Sequence, residues 1–518
     1  MSFIARWKHP FSAFAFLGSW LVLSAAEPVK VEMSVQLPPF IIEVTKGTPW
    51  RYGRIPEFEI LSRCNEGTTD RLVEAYHRAN QLLCTVLPKR YQLALDVPPT
   101  LIFYDAKFWS AAEKEAAAAL FRGQTILTSN PLAGVADVSV ASRGFFDNLM
   151  LSDADVIATF TVVSGRAIDL EETYLTPEYV RSLLLSRHPA LPKWLVAGFL
   201  RLYVRLKYQE DTIGLEARRW QFGYRPVLTT RNATPEELLP SLAGFFSEEA
   251  LREGSGPKIW IDQAELFVAW GINPAVPERV AAFWRFVELS RTEPPTETSF
   301  QACFGFGYAE AARQMVAYAV SSRRVEWPFP PENARLPGFR TRVATEGEIA
   351  RIKGDWERLE VRYVRKHAPD LESAYADLTR RTLRKAYDQG DRDPRLLAVL
   401  GLLEADAGNK TEARDSLEAA VKQSVVRPRA YYELARLRYD ALFGRSTRDD
   451  GKLTPEQARS ILEPLLAGSR QAPPLSAVYE LMSHVAFNST EPPSAEILAA
   501  LAEGEQFFPG RKFASGGN

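Results

Sequence analysis

Cysteine and histidine are scarce in this chain, and their scarcity excludes several kinds of metal and redox site. The 518 residues include 3 cysteines and 5 histidines. There is no Cys-x-x-Cys pair, so the sequence supports neither a zinc knuckle nor a thioredoxin-like redox site. His9 belongs to the N-terminal segment, and no two of His77, His188, His367 and His484 stand at metal-ligand spacing. We therefore predict no metal site and no cofactor.

The three cysteines, Cys64, Cys84 and Cys303, are an odd number, so at least one thiol must stay free. An exported protein permits one disulfide, and Cys64 and Cys84 are its candidates provided that the helix between them folds back. Cys84 and Cys303 lie in apolar helical context, which favours buried thiols at those two positions. The sequence is compatible both with a Cys64–Cys84 disulfide and with a free, buried thiol at Cys84.

A surplus of positive charge is also missing, which argues against a nucleic-acid partner. Lys and Arg total 63 and Asp and Glu total 64, so the overall balance indicates no basic surface. Hydrophobic residues make up 46% and charged residues 25% of the chain, as in soluble globular proteins. Because a chain of this length is too long for one core, we expect about two or three domains.

The N-terminal segment has the pattern of a secretory signal peptide. Arg6 and Lys8 form a short basic region, the apolar run 11–23 follows, and small residues at 24–26 offer a cleavage position. We therefore predict that residues 1–26 are a signal peptide and that the protein is periplasmic or extracellular. The alternative is an uncleaved anchor, which would be the only membrane contact, although the run is shorter than the roughly 20 residues that a spanning helix needs.

Two amphipathic helices are predicted within residues 172–203, joined by a short turn that contains proline. Thr176 is a good N-cap, and Pro177 suits the first helical position because no backbone donor is missed there. The second helix is predicted to begin near Pro192, and its small residues at 197–198 leave room for another backbone to approach closely. This helix pair is the most informative stretch of the sequence.

The pair resembles the active-site helices of gluzincin metallopeptidases, specifically the peptidase-MA-like domains of exported bacterial proteins. In that family the first helix carries His-Glu-x-x-His, and the second follows a Leu-Pro-x-Trp-Leu-x-Glu-Gly pattern that ends in tyrosine. Most of the second pattern is present here, as Leu191, Pro192, Trp194, Leu195, Gly198 and Tyr203. The resemblance implies an α+β domain of gluzincin type.

The resemblance fails at the zinc ligands. The family binds zinc through two histidines four residues apart on the first helix and a glutamate on the second. The matching positions here are Pro177, Arg181 and Ala197, none of which binds a metal, and Arg181 would place a positive charge where a dication should lie. We therefore predict a degenerate peptidase-like domain without a metal or a catalytic site.

Glu178 is the one residue of the His-Glu-x-x-His motif that survives, at the position of the general base. A base needs a polarised water, and without the metal that water keeps a pKa near its bulk value. One interpretation makes Glu178 an exposed carboxylate in the first turn of the helix, able to pair with Arg181. The other gives it a residual catalytic role together with the acidic group that precedes the helix, Asp169, Glu171 and Glu172.

The remainder of the chain divides into three predicted segments. Strand and helix patterns over residues 27–325 fit the peptidase-MA-like α+β domain, and the proline-rich residues 326–344 form a linker. Residues 345–518 are helical and fit a tetratricopeptide-like repeat, because the pattern that begins at Pro394 restarts at Pro428, 34 residues later. The predicted fold class is therefore α+β, followed by an all-α helical repeat domain.

These features predict an exported, non-catalytic protein that binds a protein or peptide partner through its helical repeats and its emptied cleft. Polar residues of the repeats, Glu404, Asn409 and Arg436, are the candidate binding residues. The alternative function is an active hydrolase that uses a metal site invisible in the sequence. A glycine-x-serine-x-glycine nucleophile motif is absent, so serine hydrolysis of the α/β-hydrolase type is not supported.

Overall fold

The computed structural model describes most of the chain after residue 47. The described residues are 48–92, 95–105, 147–163, 168, 170, 175–209, 211–216, 220–222, 225–226, 239–247, 256–321, 324–336, 338–443 and 452–514. All of them belong to one compact unit, Gln36–Asn518. The predicted signal peptide 1–26 and the acidic group Asp169, Glu171 and Glu172 lie outside the described residues.

Strands and helices alternate in the first half of the chain, and helices dominate the second half. The strands are β1 (Arg51–Arg54), β2 (Glu59–Ser62), β3 (Thr100–Asp105), β4 (Asp147–Ser152), β5 (Ile157–Val163), β6 (Leu206–Gln209), β7 (Thr212–Leu215), β8 (Gln221–Phe222), β9 (Arg225–Pro226), β10 (Val325–Pro328) and β11 (Arg342–Val343).

The helices of the first half are α1 (Glu66–Val86), α2 (Pro177–Leu185), α3 (Lys193–Tyr203), α4 (Leu242–Phe246), α5 (Gly256–Gly271), α6 (Pro277–Ser290), α7 (Glu297–Phe304), α8 (Tyr308–Ser321) and α9 (Pro331–Ala334). Those of the second half are α10 (Glu346–His367), α11 (Glu372–Asp388), α12 (Pro394–Asp406), α13 (Lys410–Lys422), α14 (Pro428–Phe443), α15 (Pro455–Ser469), α16 (Ser476–Phe487) and α17 (Ala495–Phe507). Among the residues described, no helix combines the length and the apolar character needed to cross a membrane.

A mixed six-stranded sheet is the centre of the fold, with the strand order β11-β1-β2-β3-β5-β4. The three middle strands β2, β3 and β5 are parallel, whereas β1, β4 and β11 are antiparallel to their neighbours. Two smaller sheets contain β10-β7-β6 and β8-β9. The fold is therefore mixed α and β, and the predicted α+β class is confirmed at this level.

Both faces of the sheet are covered, because the middle strands are apolar on both sides. Leu101 and Phe103 of β3 face a core that α1, α2, α3 and α5 share. Ile102, on the other face, belongs to a second core with Trp356 of α10. Phe160 of β5 stacks on Trp356 with ring centroids 5.6 Å apart. A helix from the C-terminal half of the chain therefore completes the core of the sheet.

The segment predicted to be a linker, residues 326–344, contributes strands to two sheets of the first half. Most of β10 lies in it and pairs with β7, and β11 pairs with β1 at the edge of the main sheet. The boundary between the two predicted domains stays a prediction, since all described residues form one compact unit.

The helices of the second half pack as consecutive pairs. The turn between α12 and α13 contains Gly408, whose φ of 82° is the left-handed conformation that glycine tolerates best. Ala413 and Ala420 of α13 are fully buried against α12 and its neighbours. The glycine in the turn and the small residues of α13 allow α12 and α13 to pack closely.

A disulfide between Cys64 and Cys84, considered from the sequence, is excluded by the structure. The helix between them, α1, is continuous over 21 residues, so it is about 30 Å long at 1.5 Å per residue. Disulfide-bonded residues need Cα atoms within about 7 Å. All three cysteines are free thiols. Burial, with a smaller contribution from the charge of Glu57, raises the pKa of Cys84 to about 11, so this thiol stays protonated at neutral pH.

Candidate functional site

The helix pair α2–α3 forms at the residues that the sequence predicts. Thr176 caps α2, where its hydroxyl accepts a hydrogen bond from the Tyr179 amide at 3.2 Å, and Pro177 takes the first turn. Helix α3 begins at Lys193, directly after Pro192. Both helices contribute their apolar faces to the core beneath the main sheet.

Pro177 and Arg181 stand four residues apart on α2, so they share one face of the helix. Glu178 is exposed, whereas Arg181 on α2 and Ala197 on α3 are partly buried. Among the residues described, no group of three or more metal-ligating side chains comes together. The three positions that the predicted resemblance assigns to zinc ligands thus present a pyrrolidine ring, a guanidinium and a methyl group.

Arg181 places at this position a cation that has no ion-pair partner within 4.0 Å among the residues described. Its Nη2 atom is buried and has no hydrogen-bond partner in the described part of the chain. Burial lowers the pKa of the Arg181 guanidinium, and the nearby Glu178 carboxylate opposes that shift. The ion pair considered between Glu178 and Arg181 does not form within 4.0 Å, because Glu178 extends into solvent while Nη2 of Arg181 is buried.

Gly198 is where α3 meets α5, and the two backbones touch there. A Cβ atom at position 198 would lie 2.3 Å from the carbonyl oxygen of Ala264 and 2.7 Å from Cγ2 of Val268. The predicted close approach of a second backbone at this glycine is confirmed. Backbone atoms cannot move to another rotamer as a side chain can. The close spacing of α3 and α5 therefore depends on the absence of a side chain at position 198.

We expect Gly198→Ala to lower the free energy of unfolding by about 1–3 kcal/mol, because the added methyl group must push α3 away from α5. That loss exceeds the gain of up to about 1 kcal/mol in helix propensity. Gly67→Ala in α1 is the matched control, since its Cβ would meet only Asn65 Oδ1 at 3.7 Å. Urea titration should show Gly67→Ala at or above wild type; equal stability for both variants would contradict the expected clash.

Ion pairs on one side of the same crossing hold α3 to α5. Arg205 Nη1 lies 2.6 Å from Oε1 of Glu265, whose carboxylate is fully buried, and Arg201 Nη2 lies 3.3 Å from Asp262. On the other side, Phe267 and Trp270 of α5 are buried among aromatic rings. The aromatic residues of α5 are therefore core residues, and its acidic residues have arginine partners.

His188 lies in the turn between α2 and α3 and packs against the C-terminal part of the chain. Its ring centroid is 4.6 Å from that of Phe508. Burial, and then the charge of Arg291, lower the pKa of His188, so the imidazole is neutral at pH 7. The structure gives His188 a packing role in the turn.

Sequence reasoning missed an extended cluster of ion pairs among the described residues, which we call the Asp–Arg network. It joins the turn between β4 and β5 to the helices of the second half. Its members are Asp153, Asp155, Asp355, Asp406, Arg358, Arg362, Arg427 and Arg429. Four carboxylates face four guanidinium groups, so the charges balance.

Arg358 of α10 is central to the Asp–Arg network and has no exposed surface. Its Nη1 lies 3.0 Å from Asp153 and 3.4 Å from Asp406, and its Nε lies 2.9 Å from Asp355. Arg427 bridges Asp155 at 3.1 Å and Asp355 at 2.7 Å. The β4–β5 turn is thereby bound by helices more than two hundred residues further along the chain.

Helix α14 carries a polar stripe made of Arg429, Glu433, Arg436 and Asp440, whose spacing of four, three and four residues places them on one face. Arg429 opens the stripe and binds Asp153 and Asp406 within the Asp–Arg network. Further along, Arg436 pairs with Glu433 at 2.8 Å and with Asp440 at 3.4 Å. About a third of the Arg436 and Asp440 side chains is exposed (36% and 33%), so the stripe continues into solvent.

The three predicted binding residues have different environments. Glu404 is 2% exposed and accepts hydrogen bonds from Arg380 at 2.7 Å and from Asn409 at 2.6 Å. The hydrogen bonds of its carboxylate are therefore made within the fold. The prediction that Glu404 lies on an exposed binding face is wrong. Asn409 is exposed, and its side-chain nitrogen donates to Glu404. Arg436 is partly exposed and pairs with Glu433 and Asp440.

Comparisons of this chain with protein-family models, with curated proteins and with solved structures find no match.

Proposed function

We propose that this protein is a non-catalytic, exported binding protein that holds a protein or peptide partner through its C-terminal helices. In this proposal the first half is a degenerate gluzincin-like domain, and the helix pairs after residue 345 are tetratricopeptide-like repeats. The α2–α3 pair supports the first assignment by its caps and by the close contact at Gly198. The export rests on the sequence of residues 1–26.

The polar stripe of α14 is the observation that carries the binding function. At its buried end the stripe already binds an acidic turn, since Arg429 pairs with Asp153 of the sheet. At its exposed end Arg436 and Asp440 offer the same kind of charged groups to solvent. A helix that recognises carboxylates of its own chain at one end is suited to recognise polar groups of another chain at the other.

Aromatic and imidazole groups extend this exposed end to the next helix pair. The hydroxyl of Tyr439 on α14 and Nε2 of His484 on α16 are 2.7 Å apart, and His484 is exposed. Tyrosine and arginine are the residue types that contribute most at protein interfaces, because they combine apolar area with directed polar groups. We assign the partner surface to Arg436, Tyr439, Asp440 and His484.

The absence of catalysis is proposed from the side chains at the former ligand positions. A metal would have to displace the guanidinium of Arg181, which is partly buried and has no acidic partner within 4.0 Å among the residues described. Without a metal, the exposed carboxylate of Glu178 has no polarised water on which to act as a base.

Affinity capture from the cell envelope with matched variants tests the binding function. We expect Arg436→Glu to weaken capture of the partner by about tenfold or more, because a reversed charge faces the partner at the centre of the surface. Arg414→Glu on α13 is the control, because Arg414 is partly exposed and its one ion pair among the residues described, with Asp415, is long at 3.8 Å. Capture that is equal for both variants would contradict the assigned surface.

A further inference from the structure

Helix α10 carries two buried carboxyl groups on a face that also holds one buried ammonium group. Glu357 and Glu360 are each 1% exposed, and Lys353 precedes Glu357 by about one helical turn. Spacings of four and three residues place the three side chains on the same face of the helix. The Lys353 ammonium lies 3.5 Å from Oε1 of Glu357, whereas no cation lies within 4.0 Å of Glu360 among the residues described. Glu360 is therefore a buried acid without an ion-pair partner in the described part of the chain.

The Glu360 carboxyl group lies where α10 meets the main sheet. Its Oε1 accepts a hydrogen bond from Nε1 of Trp356 at 2.7 Å, and the Trp356 ring stacks on Phe160 of β5. Its Oε2 is buried and has no hydrogen-bond partner among the residues described. A charge on this group would therefore be placed beside the aromatic core of the sheet with a single hydrogen-bond donor to stabilise it, which is costly.

The groups around Glu360 favour its neutral form. Burial, and then the negative charge of Glu357, raise the pKa of Glu360 well above its usual value, and the hydrogen bond from Trp356 and the charge of Lys353 oppose that shift only in part. From α11, which packs on α10, Tyr375 is the titratable group that interacts with Glu360, and burial raises the pKa of its phenol as well. Strand β4 and helix α12 also contact α10 but bring no further charge to Glu360 among the residues described.

We propose that the contact of α10 with the main sheet is a pH-sensitive device, which is stable while the Glu360 carboxyl group holds a proton and is weakened when that proton leaves. The unfolded chain releases this proton above about pH 4.3, the usual glutamate pKa, whereas the folded chain keeps it to higher pH. The contribution of the protonated group to stability is therefore fully present below about pH 4.3 and is lost as the pH rises through the folded-state pKa. The device does not depend on the partner surface of α14.

Urea titration of the full-length protein and of Glu360→Gln between pH 5 and pH 9 tests the proposal. Glutamine has nearly the shape of a protonated glutamate and cannot ionise, so only wild type should lose the contribution of this group as the pH rises. We expect the unfolding equilibrium constant of wild type, divided by that of Glu360→Gln, to increase at least about tenfold over this range. A ratio that is the same at pH 5 and pH 9 would overturn the proposal.

Infrared spectroscopy detects the proton itself, because the carbonyl stretch of a neutral carboxyl group is separate from the bands of a carboxylate. The difference spectrum of wild type minus Glu360→Gln at pH 7 should contain one neutral carboxyl band. Glu463→Gln is the control, since Glu463 of α15 is exposed, and it should keep both this band and the pH dependence of wild type. A difference spectrum without the band would show that Glu360 is ionised in the fold, which contradicts the proposal.

A variant of the neighbouring acid tests the proposal without changing Glu360. Glu357→Gln removes the nearby negative charge, so the neutral carboxyl band should disappear at a lower pH than in wild type. This measurement remains informative if Glu360→Gln does not fold. If the band is lost in Glu357→Gln at pH 5 and kept in Glu360→Gln, the proton belongs to Glu357, and the assignment to Glu360 is wrong.

Discussion

Arg358→Met is expected to lower the free energy of unfolding by about 3–5 kcal/mol, a large part of the stability of most proteins. The arginine is fully buried and lies within 3.4 Å of Asp153, Asp355 and Asp406. Methionine replaces the aliphatic part of the arginine side chain but carries no charge, so the main effect is to leave buried carboxylates without their cation. Urea titration at pH 7 measures the loss.

The loss should depend on pH in a way that identifies its cause. Burial alone would raise the pKa of Asp355, but the charges of Arg427 and Arg358 hold it far below its usual range. The pKa of Asp406 is also lowered, by Arg429 and Arg358, against the effect of burial. A carboxyl group with a depressed folded-state pKa stabilises the fold above its unfolded pKa, about 3.9, and loses that contribution as the pH falls through the folded value.

The difference in stability between wild type and Arg358→Met should therefore be largest above about pH 5 and shrink as the pH falls below about 4. Arg470→Met is the matched control, because Arg470 and its partner Glu496 are both mostly exposed. An exposed pair of this kind contributes little, so this variant should stay within about 0.5 kcal/mol of wild type. A difference between wild type and Arg358→Met that is constant from pH 7 to pH 3 would assign the effect to packing instead of charge.

The combined variant Pro177→His, Arg181→His and Ala197→Glu is expected to gain about one zinc ion per chain. The first two positions share a face of α2, and α3 packs beside α2, which is the arrangement that two histidines and a glutamate need. Zinc content by metal analysis after dialysis is the measurement, with wild type expected to hold none.

Two further proteins sharpen this test. Pro177→His with Arg181→His lacks the third ligand and should bind zinc at least about tenfold more weakly. Adding Glu178→Gln to the combined variant should leave zinc binding intact while removing any peptide hydrolysis that the restored site acquires. A combined variant with no more zinc than wild type would refute the correspondence with gluzincin helices, and stoichiometric zinc in wild type would refute the loss of the site.

Local features of this fold follow from sequence patterns, because each depends on a few neighbouring residues. Thr176 and Pro177 lie at the start of α2. Gly408 lies in the turn between α12 and α13, and Gly198 lies at the contact of α3 with α5. These signals act through backbone conformation and side-chain size, which the residue type itself determines.

The long-range features could not be predicted in this way. Asp153 and Arg358 form an ion pair although they are 205 residues apart in the sequence. The sequence around either residue does not indicate which residue is its partner. The same limit explains the error at Glu404, since its burial depends on Arg380, which lies on the preceding helix. A charged residue in a helical pattern is usually exposed, and only the tertiary partner reverses that expectation.

The position of α10 on the main sheet also bears on how the chain is made. The face that Ile102 and Phe160 present stays uncovered during synthesis until Trp356 has left the ribosome. The core on that face of the sheet therefore closes only after α10 has been made, whereas the core on the opposite face consists of first-half residues alone.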